Sequence, residues 1–251
     1  MYDVEIPDGW QQGRGAFGGL TIAALTRSIE LFETNADRPL RTLSVELPGA
    51  VRVGPAEVLV EVVRIGSGQS TIAARLLQAG EVRATGVAVL ARPRAPDAAT
   101  YCELTAPDLP DWRSIAPIPS GVLSPVFARQ FEYRTVGPLP FEGGPCARAQ
   151  GWVRLRDATA ETLGDAAYLA ALLDAWWPAA FARMTTPRPV GTVAFNLQVV
   201  GSPRGIDPAV PFAYRAHTWS QVDGWLVEQR ELWTADGRLL ALNQQTIAII
   251  A

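Results

Sequence analysis

Asp174 is the only residue between Ala166 and Ala182 whose side chain is ordinarily charged at neutral pH. If so apolar a run is buried, its carboxylate must be paired, hydrogen-bonded or raised in pKa. A carboxylate so placed can take a proton from water as a general base. It can equally pair with an arginine or cap a loop. Thr192 opens a later strand-like run, and its hydroxyl both donates and accepts, so it could position a water beside a carboxylate. A β-branched residue also suits a strand by shape alone. Gln244 and Gln245 are neighbours on the last strand-like run, where successive side chains point to opposite faces, so only one can meet a packed helix. An amide in an otherwise apolar strand needs partners, whether its duty is chemical or structural. Carboxylate, hydroxyl and amide together could hold and activate one water without a metal.

Other chemistries find less support. Gly18 and Gly19 open an apolar helix-like run, and backbone N–H groups at a helix start can bind a developing anion; the same glycines would also serve a tight turn. Gly13, Gly15 and Gly18 fit the dinucleotide fingerprint in form, but no strand precedes them and no βαβ pattern follows. There is no G-x-S-x-G elbow and no Walker A loop. His217 is the only histidine, with nothing nearby to mark a nucleophile, and reads as a strand histidine with a local hydrogen bond. Cys102 and Cys146 are far apart and fit no metal or redox spacing, so no metal is expected. Trp176 and Trp177 stand beside Asp174, where an apolar wall would raise its pKa.

The elements that must position these groups occur twice. An apolar helix-like run, Phe17 to Phe32, precedes strand-like runs at Arg41–Val53, Val58–Ile65, Ser70–Leu77 and Val82–Leu90. A second, Ala166 to Phe181, precedes Gly191–Val200, Phe212–Ser220, Leu226–Trp233 and Leu239–Ile250. Asp165 is placed to cap the second helix. The last hairpin is marked alike in both halves, by Gln78-Ala79-Gly80-Glu81 and Ala235-Asp236-Gly237-Arg238. A repeat this long indicates a duplicated domain rather than a solenoid. Helices apolar nearly all round are buried, and one buried helix wrapped by an antiparallel sheet is the hotdog arrangement. The expectation is an α+β double hotdog: an N-terminal unit over 1–93, a Pro-rich connector over 94–126 lying across the surface, and a C-terminal unit over 127–251 that carries the candidate catalytic residues. Arg129–Arg134 alternates as an edge strand would, and Gly151–Arg156 alternates too.

Composition narrows the class further. The chain has 251 residues, 48% of them hydrophobic, and a formal charge of -3. All 22 basic residues are arginine, and arginine makes bidentate pairs with phosphate. No basic stripe with interleaved aromatics is present, so nucleic acid is not an expected partner. The longest apolar stretch, Ala166 to Ala182, is interrupted by Asp174 and Pro178 and too short to span a bilayer. With no signal-like N-terminus and two remote cysteines, a cytoplasmic protein is the expectation.

At this point the sequence resembles the acyl-CoA thioesterase II family and its bacterial double-hotdog relatives. The likeness rests on Trp10 with Gly13-Arg14-Gly15-Ala16-Phe17-Gly18-Gly19, on Leu172-Leu173-Asp174-Ala175-Trp176-Trp177-Pro178, and on Thr192-Val193 and Gln245. Gly137-Pro138-Leu139-Pro140-Phe141 and Gly151–Arg156 also fit. The resemblance implies that Asp174, Thr192 and Gln245 hold and activate the water that attacks a thioester carbonyl. It implies acyl-CoA or another acyl thioester as substrate, no cofactor beyond the CoA of the substrate, and compatibility with a homo-oligomer. In that setting Gly18 and Gly19 would face the oxyanion, Trp176 and Trp177 would wall an acyl or aryl pocket, and Arg14 and Arg64 would meet the CoA phosphates. The likeness departs at one place: better-known members follow the threonine with an Asp-His pair, whereas this chain reads Thr192-Val193-Ala194-Phe195. A non-catalytic acyl-CoA or small-ligand binding protein, and a biosynthetic enzyme of another reaction type on the same fold, are the competing readings.

Overall fold

The structure is a computed structural model that describes residues 1–95, 97–119, 125–159 and 165–250. Its first half comprises β1 (Tyr2–Ile6), the short hairpin β2 (Gln11–Gln12) and β3 (Gly15–Ala16), α1 (Gly18–Phe32), β4 (Leu40–Glu46), β5 (Gly54–Ile65), β6 (Gln69–Gln78) and β7 (Glu81–Ala91). The second half comprises β8 (Phe131–Thr135), β9 (Arg148–Leu155), α2 (Ala166–Ala175), β10 (Val190–Val199), β11 (Phe212–Val222), β12 (Trp225–Trp233) and β13 (Leu239–Ile249). Eleven strands form one sheet in the order β1-β5-β6-β7-β4-β10-β13-β12-β11-β9-β8, with every ladder antiparallel. The fold is an α+β double hotdog, its two sheets fused edge to edge where β4 pairs with β10.

The duplication extends to single residues. In each half the four strands after the helix take the order second, third, fourth, first. The ladders also break at matching places. Leu40 to Thr42 against β7 matches Thr192 to Ala194 against β13. Val62 to Arg64 against β6 matches Thr218 to Ser220 against β12. Leu76 to Leu77 against β7 matches Leu232 to Trp233 against β13. Each position in one half therefore has a defined counterpart in the other.

Both helices lie on the same side of the joined sheet and pack against each other. Ile22, Leu25 and Ile29 of α1 and Leu169, Leu172 and Leu173 of α2 are fully buried in one continuous core. Such a side chain contributes roughly 1.5–3 kcal/mol by leaving water. The helices run antiparallel: the Asp174 carboxylate at the end of α2 meets Gly18 and Gly19 at the start of α1, while Glu30 of α1 accepts the Ala166 N–H at the start of α2. Each helix thus turns one orphan N–H at its start, that of Gly19 or of Ala166, toward a carboxylate of its partner. Asp165 adds the expected cap on α2 through the Tyr168 N–H.

Some boundaries differ from the sequence expectation for local reasons. The apolar run to Phe181 does not stay helical: α2 ends at Ala175, and Trp176 turns extended at ψ 149°. Pro178 is the cause, since it lacks an N–H and disfavours helix in the residue before it; a 3₁₀ turn, Ala179–Ala182, follows. The strand expected over Arg41–Val53 ends its pairing at Glu46, ahead of Pro48-Gly49. β1 and the β2–β3 hairpin were not anticipated. Of the Pro-rich connector, Pro96 and residues 120–124 lie outside the described residues. Leu109, Trp112 and Ile115 pack on Trp152, Trp233 and Leu239, on the sheet face away from the helices, and Trp152 donates to the Pro110 carbonyl at 3.1 Å. No described helix is long and apolar enough to cross a membrane.

Candidate active site

Asp174, Thr192 and Gln245 converge although they lie on α2, β10 and β13. Gln245 Nε2 donates to Asp174 Oδ1 at 3.0 Å. The Thr192 hydroxyl stands 3.3 Å from the same carboxylate oxygen and 3.2 Å from Gln245 Oε1, and its single proton can serve only one of them at a time. Gln245 is fully buried, whereas Gln244 is exposed on the opposite face. Gln245 also donates to Asn243 Oδ1 at 3.0 Å, and Asn243 Nδ2 donates to the Asn196 carbonyl at 2.9 Å. This chain of bonds sets which end of the Gln245 amide faces Asp174.

Thr192 reaches the helix side by a β-bulge. Phe195 and Leu197 point inward and are fully buried, so strict alternation would turn Thr192 outward with Ala194 and Asn196. The ladder with β13 skips Val193, and Thr192 sits opposite Ile247, on the inward face shared with Gln245. A bulge re-aims the side chains beyond it. Leu47 secures it by donating to the Val193 carbonyl at 2.9 Å.

Asp174 is almost completely buried. Burial pushes its pKa up, outweighing the opposing pull of Arg230, Gln245, Thr192 and the Gly19 N–H. The absence of side chains at Gly18 and Gly19 is required by this approach. A Cβ on Gly18 would lie 2.9 Å from Asp174 Oδ2, and one on Gly19 would lie 3.0 Å from Asp174 Cβ and 2.3 Å from the Phe17 ring.

Three further residues complete the cluster and escaped the sequence reading: Asn243, Arg230 and Glu228. Arg230 is buried, donates through Nε to Glu228 Oε1 at 2.8 Å, and lies 3.7 Å from Asp174 Oδ1. Their signal was weak, because β12 mixes charged and apolar residues on both faces. The available clue was register: Glu228 pairs with Gln245 and Arg230 with Asn243.

The counterparts of the strand residues in the first half are apolar, while the helix carboxylate has a counterpart in Glu30. Leu40 stands where Thr192 does, Ala88 for Gln245 and Gly86 for Asn243. Ile72 stands for Glu228 and Ala74 for Arg230. The same ladders, with the same bulges, therefore fold without these polar groups.

The remaining candidates are dispersed. Trp176 is buried, stacked on Tyr214 at 4.8 Å and edge-on to Tyr133 at 5.4 Å, with Trp177 4.9 Å away. Neither tryptophan lines the groove of about 480 Å³ that runs between the helices; Leu20, Ala23 and Ala24 of α1 and Ala167, Tyr168 and Ala171 of α2 line it, with Trp10 and Phe131. Ala171 lies one turn before Asp174 on α2, so the groove approaches the carboxylate. Arg14 is exposed in the β2–β3 turn, just ahead of α1. Arg64 lines a separate polar depression with Arg94, Gln69 and Thr71 at the β5–β6 turn. Arg38 joins Glu33, next to the end of α1, to the Gly66 carbonyl of that turn. The depression is thus about 20 Å along α1 from Gly18. His217 is exposed on the outer face of β11. Cys102 and Cys146 are free and exposed. The described residues hold no cluster of three or more His, Cys, Asp or Glu fit for a metal ion.

Comparison with known proteins agrees with this fold. None of the curated proteins matches the chain. Among solved structures, a conserved hotdog protein of unknown function from Alicyclobacillus acidocaldarius superimposes with a TM-score of 0.86 at 22% identity, covering 99% of this chain and 92% of that one. A putative thioesterase II from Thermobifida fusca YX gives 0.81 at 22% identity, covering 100% and 92%. The acyl-CoA thioesterase II TesB2 from Mycobacterium marinum gives 0.73 at 17% identity, covering 92% and 88%. At these identities they establish the shared double hotdog. The sequence itself matches the acyl-CoA thioesterase N-terminal domain over residues 6–91 and the acyl-CoA thioesterase C-terminal domain over residues 93–249, and the chain therefore belongs to the acyl-CoA thioesterase family.

Proposed function

We propose that this chain is a cytoplasmic acyl-CoA thioesterase that hydrolyses its substrate with a water held by Asp174, Thr192 and Gln245, using no metal or cofactor of its own. The observation that carries the reading is the one-sided chemistry of a duplicated fold. A hydroxyl and an amide meet the Asp174 carboxylate within 3.3 Å in the second half, where the strands of the first half carry Leu40 and Ala88 and leave the matching helix carboxylate, Glu30, without such partners from them. Burying polar groups costs stability unless they are well paired, so a cluster the architecture does not need points to chemistry.

In this mechanism the water oxygen adds to the thioester carbonyl carbon while its proton passes to Asp174. The raised pKa suits a base that must accept and then release a proton. The tetrahedral oxyanion needs donors. The Gly19 N–H already serves Asp174, which leaves the Gly18 N–H, at the positive end of α1, as the candidate. Collapse breaks the C–S bond, and the departing thiolate recovers the proton from Asp174. The acyl chain would lie in the groove between the helices.

The test is thiol release from short, medium, long and aromatic acyl-CoAs, comparing the wild type with Asp174→Asn. Turnover by the wild type that falls by about 10³-fold or more in the mutant, with ligand binding retained, is expected for loss of a general base. Binding without turnover of any acyl-CoA by the wild type would overturn the reading in favour of a ligand-binding protein.

A further inference from the structure

Arg230 and Glu228 form the most deeply buried ion pair among the described residues, with side chains 2% and 0% exposed. No packing need explains it, since the counterpart positions are Ala74 and Ile72. A buried pair of this kind is weak evidence for stability, because desolvation offsets the attraction. Its contacts point instead to the end of α2. Arg230 Nη1 donates to the Leu173 carbonyl at 2.7 Å, one residue before Asp174. Glu228 Oε2 accepts the Ala179 N–H at 2.7 Å and the Thr218 hydroxyl at 2.6 Å. The two residues therefore grip the chain on both sides of the break at Trp176-Trp177-Pro178.

We propose that Arg230, held in place by Glu228, is a positioning residue that fixes the α2 terminus and supplies the positive charge that keeps the Asp174 carboxylate in its basic form. The inference rests on the reading of Asp174 as the base. Among the described residues, the groups that face Asp174 are few. From α1 come only the Gly18 and Gly19 backbone, from β10 Thr192, and from β13 Gln245 and, behind it, Asn243. β12 brings Arg230 with Glu228 behind it, β11 brings Tyr214, and β8 brings Tyr133. Both tyrosines are held neutral, since burial pushes their pKa values up. Arg230 is then the one cation in contact with Asp174 among these groups, and Glu228 divides its charge. An opposite charge at this range lowers a carboxyl pKa by about one to three units.

Two readouts test this in parallel. The first is the pH dependence of kcat/KM. The second, independent of turnover, is the titration of the Asp174 carboxyl by infrared difference spectroscopy, assigned by its loss in Asp174→Asn. Arg230→Met should move both the acidic limb and the carboxyl titration to higher pH by about one unit or more. Arg230→Lys should restore both most of the way, and Glu228→Gln should move both to lower pH. If Arg230→Met leaves Glu228 unpaired and does not fold, Arg230→Met/Glu228→Gln removes both charges and should still titrate above the wild type. Titration of Asp174 within about 0.2 units of wild type in all folded variants, against the expected unit-scale shift, would overturn the proposal. Absence of turnover in every protein, with the infrared shifts as described, would remove the thioesterase reading and leave the Arg230 role standing.

Discussion

Gly18→Ala tests the arrangement at the helix junction with a single added methyl group. The new Cβ would lie 2.9 Å from Asp174 Oδ2, while its other near neighbour, Leu47, is at an ordinary 3.6 Å. Ordinary contact begins at 3.4 Å, so the carboxylate must withdraw by about 0.5 Å. A misplacement of 1 Å can cost about 10²-fold in rate; half of that predicts a fall in kcat of about 10-fold, or about 1.4 kcal/mol in the barrier. Stability should hardly change. Gly18 is the first helical residue, and the preference of helices for alanine, worth up to about 1 kcal/mol, offsets the steric cost. In a chain of this length that corresponds to a Tm within about 2–4 °C of wild type. The assay is steady-state thiol release alongside thermal unfolding. Gly68→Ala is the control, since a Cβ there meets nothing within 4 Å. Unchanged kcat with unchanged Tm in Gly18→Ala would refute the argument, because the displaced carboxylate would then have no part in the rate.

Thr192→Val keeps the shape of a β-branched side chain but removes the hydroxyl that stands 3.3 Å from Asp174 and 3.2 Å from Gln245; kcat should fall by about 10- to 100-fold with KM little changed, which a substrate titration reads directly. The raised Asp174 pKa carries a linkage prediction. Its favourable contribution is fully present below the ordinary aspartate range and is lost as pH rises through the raised native value, because the unfolded chain ionises first. The Tm advantage of Asp174→Asn over wild type should therefore grow with pH over that window and then level off; a pH-independent difference in thermal scans would contradict it. Gly151→Ala addresses the fold alone. Gly151 adopts φ +151°, and a Cβ would fall 2.1 Å from the Arg134 carbonyl, so the β8–β9 ladder must open and stability should fall by more than about 3 kcal/mol, measured by denaturant unfolding.

The duplicated order of one helix and four strands was legible in the sequence, because hydrophobic period and turn residues act over short distances. Asp174 was legible too, as a lone charge in an apolar run, and so were the two faces open to Gln244 and Gln245, since alternation along a strand is local. The inward face of Thr192 was not. Regular alternation would have turned it to the outer side, and the bulge at Val193 depends on pairing with β13 and on the Leu47 N–H, which come from distant parts of the chain. Arg230, Glu228 and Asn243 were hidden for the same reason: what sets them apart is the register that places them beside Asp174 and Gln245. Local periodicity thus determined the elements and the presence of a buried acid. Only the long-range pairing of strands and the antiparallel contact of two helices decided which groups that acid would meet.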